Sequence, residues 1–229
     1  MMRRKLAWCS LISPVLMALT ACTGGSGGGG GDSGLAIPPH NVVFTYADSV
    51  GDASGNGGTA WDITGVQTTL VEGPFRNEYE TLQVAVTFAQ DVSTALPSAR
   101  QTLSDHPELL GVGILMNIDG NTLTGGPGYI CSSRPNAAGN EAYVDPGEYE
   151  GRLADGAFPI LDANGIPKDE AQVAISGHTL TYTIDLAAWG SPSTGLPKTT
   201  IAVIAQNGAN GGTQTDCAPN STMFAVSGQ

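Results

Sequence analysis

Leu82-Gln83-Val84-Ala85-Val86-Thr87-Phe88 alternates a large apolar residue with a smaller or polar one over seven positions. Successive side chains of an extended chain point to opposite faces, so Leu82, Val84, Val86 and Phe88 share one face, and Gln83, Ala85 and Thr87 share the other. The stretch from Thr179 to Leu186 repeats the pattern: Leu180, Tyr182, Ile184 and Leu186 alternate with Thr179, Thr181, Thr183 and Asp185. Both read as strands with one buried face. Working outward, Val42–Tyr46, Ile63–Leu70, Val112–Ile118, Ala171–Ser176, Thr199–Ala205 and Met223–Val226 are further strands, with Gly, Pro, Asn or Asp in nearly every gap. Gly177-His178 joins two of them as a hairpin turn. Helical patterning is scarce. Pro97–Leu110 has a partial apolar stripe, with His106-Pro107 set to break it, and Ala187–Trp189 suits a short turn. The expected fold is all-β, an antiparallel sandwich of the immunoglobulin-like or jelly-roll-like kind with at most one short helix.

The amino terminus carries an address. Arg3-Arg4-Lys5 precedes a mostly apolar run from Leu6 to Ala18, then Leu19-Thr20-Ala21-Cys22. A basic start, a short apolar core and small residues before a cut describe a secretory signal, too short for a spanning helix. Leu19–Cys22 resembles the lipobox of bacterial lipoproteins. The resemblance implies cleavage before Cys22, a diacylglycerol on its sulfur and an acyl chain such as palmitate on its new amine. Thr23 follows where an aspartate would be a retention signal, which favours the outer membrane in a Gram-negative cell. The expected organisation is a signal peptide at 1–21, a Gly/Ser tether at 22–34 and one β-sandwich domain at 35–229. The tether is nearly all Gly and Ser and has no apolar surface to bury. Two motif mimics within it are set aside. Gly31-Asp32-Ser33-Gly34 resembles a protease serine motif, and the glycine run fits a phosphate-binding pattern, but neither has the strand or helix such chemistry requires.

Removing Arg3, Arg4 and Lys5 with the signal leaves 6 of the 9 Lys and Arg against 21 Asp and Glu, a net charge of −15. That excess excludes a basic nucleic-acid footprint and a polybasic membrane patch. It suits solubility or the binding of hard cations through oxygen ligands. Of four cysteines, Cys9 leaves with the signal and Cys22 takes the lipid. Cys131 and Cys217 remain as an even pair in an oxidising compartment and are expected to form a disulfide.

Three acidic stretches are candidates for a cation site. Asp48-Ser49-Val50-Gly51-Asp52 leads through a Gly/Ser/Asn loop to Trp61-Asp62-Ile63. Asn117, Asp119 and Asn121 recur at alternate positions after an apolar strand, and Asp145 stands in Tyr143-Val144-Asp145-Pro146. Calcium takes about six to eight oxygens and accepts side chains and loop carbonyls alike. Asp and Asn also serve turns that bond their own backbone without a metal. The second stretch is no EF-hand: counted from Asn117, Thr122 sits where that loop needs glycine and Gly128 where it needs glutamate. Taken together, Asp48, Gly51, Asp52, Asp62 and Ile63, then Asp119, Asn121, Thr124 and Gly125, resemble a recurring pattern of bacterial extracellular sandwiches. These are relatives of the DOMON and family-9 carbohydrate-binding modules, and that resemblance implies the same fold and a calcium ion. Asn117 replaces the first aspartate of that pattern.

Catalytic readings rest on less. His40, His106 and His178 are scattered and form no zinc pair. Glu141, Glu148 and Glu150 lie near Asp145 and supply paired carboxylates for glycoside cleavage in principle, or simply a solvated acidic loop. Tyr129, Tyr143 and Tyr149 are candidates for stacking on a sugar, whereas Trp61 opens a strand and is expected in the core. Asn220-Ser221-Thr222 matches a glycosylation sequon that a bacterial signal makes idle. The expected function is a non-catalytic binding or surface-interaction module held to the cell envelope, with a glycan or surface protein as partner. The alternatives are a polysaccharide-active hydrolase, or its accessory carbohydrate-binding module, and a structural envelope component.

Overall fold

The computed structural model describes residues 41–54, 57–73, 79–96, 103–121, 123–129, 135–144, 156–186, 189, 198–209, 213–219 and 223–226. The signal, Cys22, the tether and the domain's first residues lie outside them, as do His40, Cys131, Asp145, Glu148, Tyr149 and Glu150.

The described residues form an eleven-stranded antiparallel sheet and a separate two-stranded ribbon. The alternating stretches explain one layer. The strands β1 (Val42–Ala47), β2 (Ile63–Glu72) and β3 (Tyr79–Phe88) pair in succession, and β3 then takes β10 (Thr179–Asp185) as its other neighbour. In that last pair Leu82 faces Ile184, Val84 faces Tyr182 and Val86 faces Leu180. Paired residues share a face, so the two apolar sets coincide and all six side chains are buried. Next in the sheet comes β9 (Pro167–Ser176), joined to β10 by the expected Gly177-His178 turn, in which Gly177 adopts φ 56°.

The sheet continues through β8 (Ala157–Asp162), β7 (Ala142–Val144), β4 (Leu110–Asn117) and β11 (Thr200–Asn207) to the edge strand β12 (Thr213–Ala218). A two-residue strand, β13 (Phe224–Ala225), pairs with the start of β11. These strands fold back over the first layer. Leu110, Val112, Ile114 and Met116 of β4 and Ile201, Val203 and Ala205 of β11 join one core with Leu82, Val84, Val86 and Tyr182. The Tyr182 hydroxyl crosses between the layers and donates to the Val112 carbonyl at 3.0 Å. The other face of β4 and β11 is buried too, as Leu115 and Ala202 pack with Cys217. The ribbon pairs β5 (Gly126–Tyr129) with β6 (Pro135–Asn140), and β6 lies against β4.

The expected helix over Pro97–Leu110 is not formed in its described part, 103–110. There the chain makes a single three-ten turn, Leu103–Asp105, before β4 starts. His106 donates to the Leu103 carbonyl and Leu109 to the His106 carbonyl, a chain of isolated turns. Pro107 has no amide to extend them. Trp61 is in the core as expected, 5 % exposed, with its indole N–H on the Leu109 carbonyl at 3.2 Å.

Candidate functional site

The two ends of the sheet meet at a seam, and the acidic groups are gathered there. Asp48 follows β1, Asp52 lies on the loop beyond it, and Asp62 immediately precedes β2. Gly51, at φ 89°, turns the loop back so that its N–H donates to Asp62 Oδ2 at 2.8 Å. The Asp62 backbone is held from β3's far end: its N–H donates to Gln90 Oε1 at 3.1 Å, and its carbonyl accepts the Ala89 N–H at 2.9 Å.

The fourth acid comes from the opposite end of the chain. Asp216 lies on β12 opposite Ala205, and the register then shifts so that Gln206 faces Gln214. Thr215 is therefore the extra residue of a β-bulge, a device that re-aims neighbouring side chains. Both Thr215 and Asp216 reach the start of β2. The Thr215 hydroxyl donates to the Trp61 carbonyl at 3.0 Å, and its own carbonyl accepts the Ser54 N–H at 2.9 Å. Asp216 Oδ2 accepts the Ile63 N–H at 2.6 Å, while Oδ1 accepts the Cys217 N–H at 2.7 Å. A second bulge, at Thr64 between the pairs Ile63–Phe88 and Gly65–Thr87, flanks the site on β2.

Among the described residues, Asp52, Asp62 and Asp216 are the one group of acids whose oxygens all lie within 4.8 Å of one another. Asp62 and Asp216 are 5 % and 7 % exposed, whereas Asp52 is open to solvent. Asp62 Oδ1 is buried and has no hydrogen-bond partner. A buried, orphaned carboxylate oxygen beside two further carboxylates is costly unless a cation neutralises it. Gathered carboxylates disfavour one another's charged form, and the three seam bonds made by Asp216 Oδ2, the Thr215 hydroxyl and the Thr215 carbonyl, at about 1 kcal/mol each, oppose the separation of the strands that carry them. The donors are all oxygen, a set that selects a hard divalent ion over a thiolate- or imidazole-seeking one.

The electrostatics carry the same strain. Burial pushes the Asp216 carboxyl up to about 7, against the lowering effect of the Ile63 and Cys217 amides, with Asp48 and Asp52 adding to the rise. Burial also raises Asp48 to about 6, with Asp52 and Asp62 contributing after the opposing Ser49 amide. Both groups hold more protons folded than unfolded between about pH 4 and 7, so unfolding releases protons there and stability falls as pH rises through that window. In chelator, urea melts at pH 4.5 and pH 8 should differ by about 2 kcal/mol, after discounting for screening, with the acidic sample the more stable. Asp216→Asn should shrink the difference and leave the smaller Asp48 share. An unchanged slope in that variant would take Asp216 out of the pH dependence. Asp91, held low by its hydrogen bond to Ser93, acts in the opposite sense and only below this window.

The second acidic stretch is built differently. Asn117 Oδ1 accepts the Gly120 N–H at 2.8 Å, Asp119 Oδ1 the Asn121 N–H at 2.7 Å, and Asn121 Oδ1 the Leu123 N–H at 3.0 Å. These are turns in which each side chain bonds its own backbone. The Thr124 hydroxyl lies between Glu141 Oε1, at 2.7 Å, and the Asp119 carboxylate. Glu141 Oε2 accepts the Ile118 N–H at 2.7 Å. The two stretches cannot share one ion. Asp216 is level with Ala205, which faces Val112, whereas Asn117 faces Thr200. Five residues along β4 separate those levels, roughly 17 Å.

Of the tyrosines, Tyr143 is half-buried on β7 beside the Leu115 cluster and Tyr129 belongs to β5, so no shared face with Tyr149 is described. Cys217 is buried on the outer face of β12, where Gln214 Nε2 approaches its sulfur at 2.8 Å. Sequence reading selected Asp48, Asp52 and Asp62 but missed Asp216. The available signal was an aspartate inside the Thr213–Ala218 run, since Asp is depleted in strands and needs a reason to be there. No protein-family model matches the chain, and no curated protein matches it either.

Proposed function

We propose that this chain is a lipid-anchored, extracytoplasmic β-sandwich that serves as a non-catalytic binding or surface-interaction module and is stabilised by one calcium ion. The observation that carries the calcium reading is the orphaned Asp62 Oδ1 beside Asp52 and Asp216. Asp52, Asp62 and Asp216 would hold the ion, with Asp48 at its edge. Calcium there supplies charge neutralisation and cross-links the loop after β1 to β12.

The location rests on the basic start, the apolar run and the lipobox ending at Cys22. The acidic excess supports a protein that works outside the cytosol without nucleic acid. A Cys131–Cys217 disulfide suits that compartment and would pin β12 on its outer face. The partners that fit this reading are the membrane, through the acyl chains, and a glycan or surface protein.

Titration calorimetry on the mature protein in detergent tests the ion. One calcium per chain is expected, with binding reduced at least tenfold by Asp62→Asn. Heat equal to buffer dilution, in wild type and variant alike, would remove calcium from this proposal. Loss of acyl mass in Cys22→Ser tests the anchor by intact-mass measurement.

A further inference from the structure

The strand β12 is bonded to its two sides by different means. Towards β11 it runs a regular ladder from Val203–Ala218 to Asn207–Thr213, interrupted by the Thr215 bulge. Towards β2 no ladder forms among the described residues. Isolated bonds bridge the gap, among them those from Asp216 Oδ2 to the Ile63 N–H, from the Thr215 hydroxyl to the Trp61 carbonyl, and from the Thr215 carbonyl to the Ser54 N–H. Two of these join residues 153 and 154 apart in the chain. Isolated bonds oppose opening on this side of β12, a continuous ladder on the β11 side, so the β2 side is the weaker of the two.

The carboxylates sit on both banks of this gap. Asp52 and Asp62 come from the loop between β1 and β2, and Asp216 comes from β12. With the banks apart, the three acids do not form one group. An ion that binds all three therefore binds the closed seam alone, and it shifts the open–closed balance by its whole differential affinity. The β3–β10 pairing lies elsewhere in the sheet and touches none of these groups.

From this we infer that the cation operates a latch: it closes β12 onto the β1–β2 loop, and its removal opens that seam while the rest of the sandwich stays folded. The inference rests on the calcium reading above and adds the part of the fold on which the ion acts. The seam joins residues 153 and 154 positions apart in the chain, so the ion ties together segments that meet only in the folded state.

Hydrogen–deuterium exchange on the mature protein in detergent tests it, comparing millimolar calcium with excess chelator. Chelation should speed exchange of the Ser54 and Ile63 amides at least tenfold, and in chelator both should exchange at least tenfold faster than the Val84 and Tyr182 amides, which exchange only when the whole sheet unfolds. One common exchange rate for all four in chelator would overturn the latch, since the seam would then open only with the whole fold. Unchanged seam amides in a sample shown by calorimetry to bind calcium would also overturn it while sparing the calcium reading. Calorimetry without binding would overturn both.

Discussion

Calcium in hundredfold excess over its dissociation constant should raise the melting temperature by about 5–10 °C relative to excess chelator. A ligand that binds only the folded state at that ratio stabilises by about 2.7 kcal/mol. For a domain of this size each kcal/mol moves the midpoint by about 2–4 °C. The expectation comes from the gathering of Asp52, Asp62 and Asp216 at the seam, with the buried Asp62 Oδ1 unsatisfied beside the other two. Asp62→Asn separates a ligand role from a folding role. Its amide oxygen can still accept the Gly51 N–H that Oδ2 accepts now, and the substitution removes one repelling charge. In chelator the variant should therefore melt no lower than wild type, yet it should lose most of the calcium-induced rise. A wild-type midpoint identical in calcium and chelator would end the metal reading. A variant that melts far lower in chelator would mean Asp62 serves the fold instead.

Gly208→Ala should cost about 3 kcal/mol, the upper part of the usual range for forcing atoms into a packed site. A Cβ built on Gly208 would fall on the Leu103 carbonyl oxygen and stand 2.5 Å from that of His106. Both obstacles are backbone, so no side-chain rotation relieves them. The three-ten turn at Leu103–Asp105 would have to move, carrying Leu103, 2 % exposed, out of its place. The expected midpoint falls by about 6–12 °C. Gly177→Ala is the control. Nothing lies within 4 Å of its added Cβ, and only its φ of 56° opposes a side chain. Left-handed backbone costs an L-residue about 1–2 kcal/mol, so this variant should lose less than Gly208→Ala. Equal losses in urea melts of the two would show that the close approach of Gly208 to the turn carries no special weight.

The difference between what was legible and what was not follows the range of the interactions. Leu82–Phe88 and Thr179–Leu186 announced themselves because each strand buries one face, and the register that pairs Val84 with Tyr182 preserves both patterns. β8 and β12 left no such trace. In Ala157–Asp162 five consecutive residues are buried, so polarity does not alternate. In Thr213–Ala218 the Thr215 bulge breaks the period and brings two neighbouring residues to the same seam.

Residues alone carried the strand content of one layer, the acidic charge and three of the four acids now gathered at one place. Each depends on composition or a local rule: side-chain alternation, or clustering within a loop. The choice between the two acidic stretches belonged to the tertiary structure. Asn117, Asp119 and Asn121 bond their own turns, while Asp62 gains a partner 154 residues away because the sheet folds back and sets β12 against the start of β2. A carboxylate on one strand becomes part of a site only when another strand's carboxylate arrives beside it, and that meeting is decided by how the layers close.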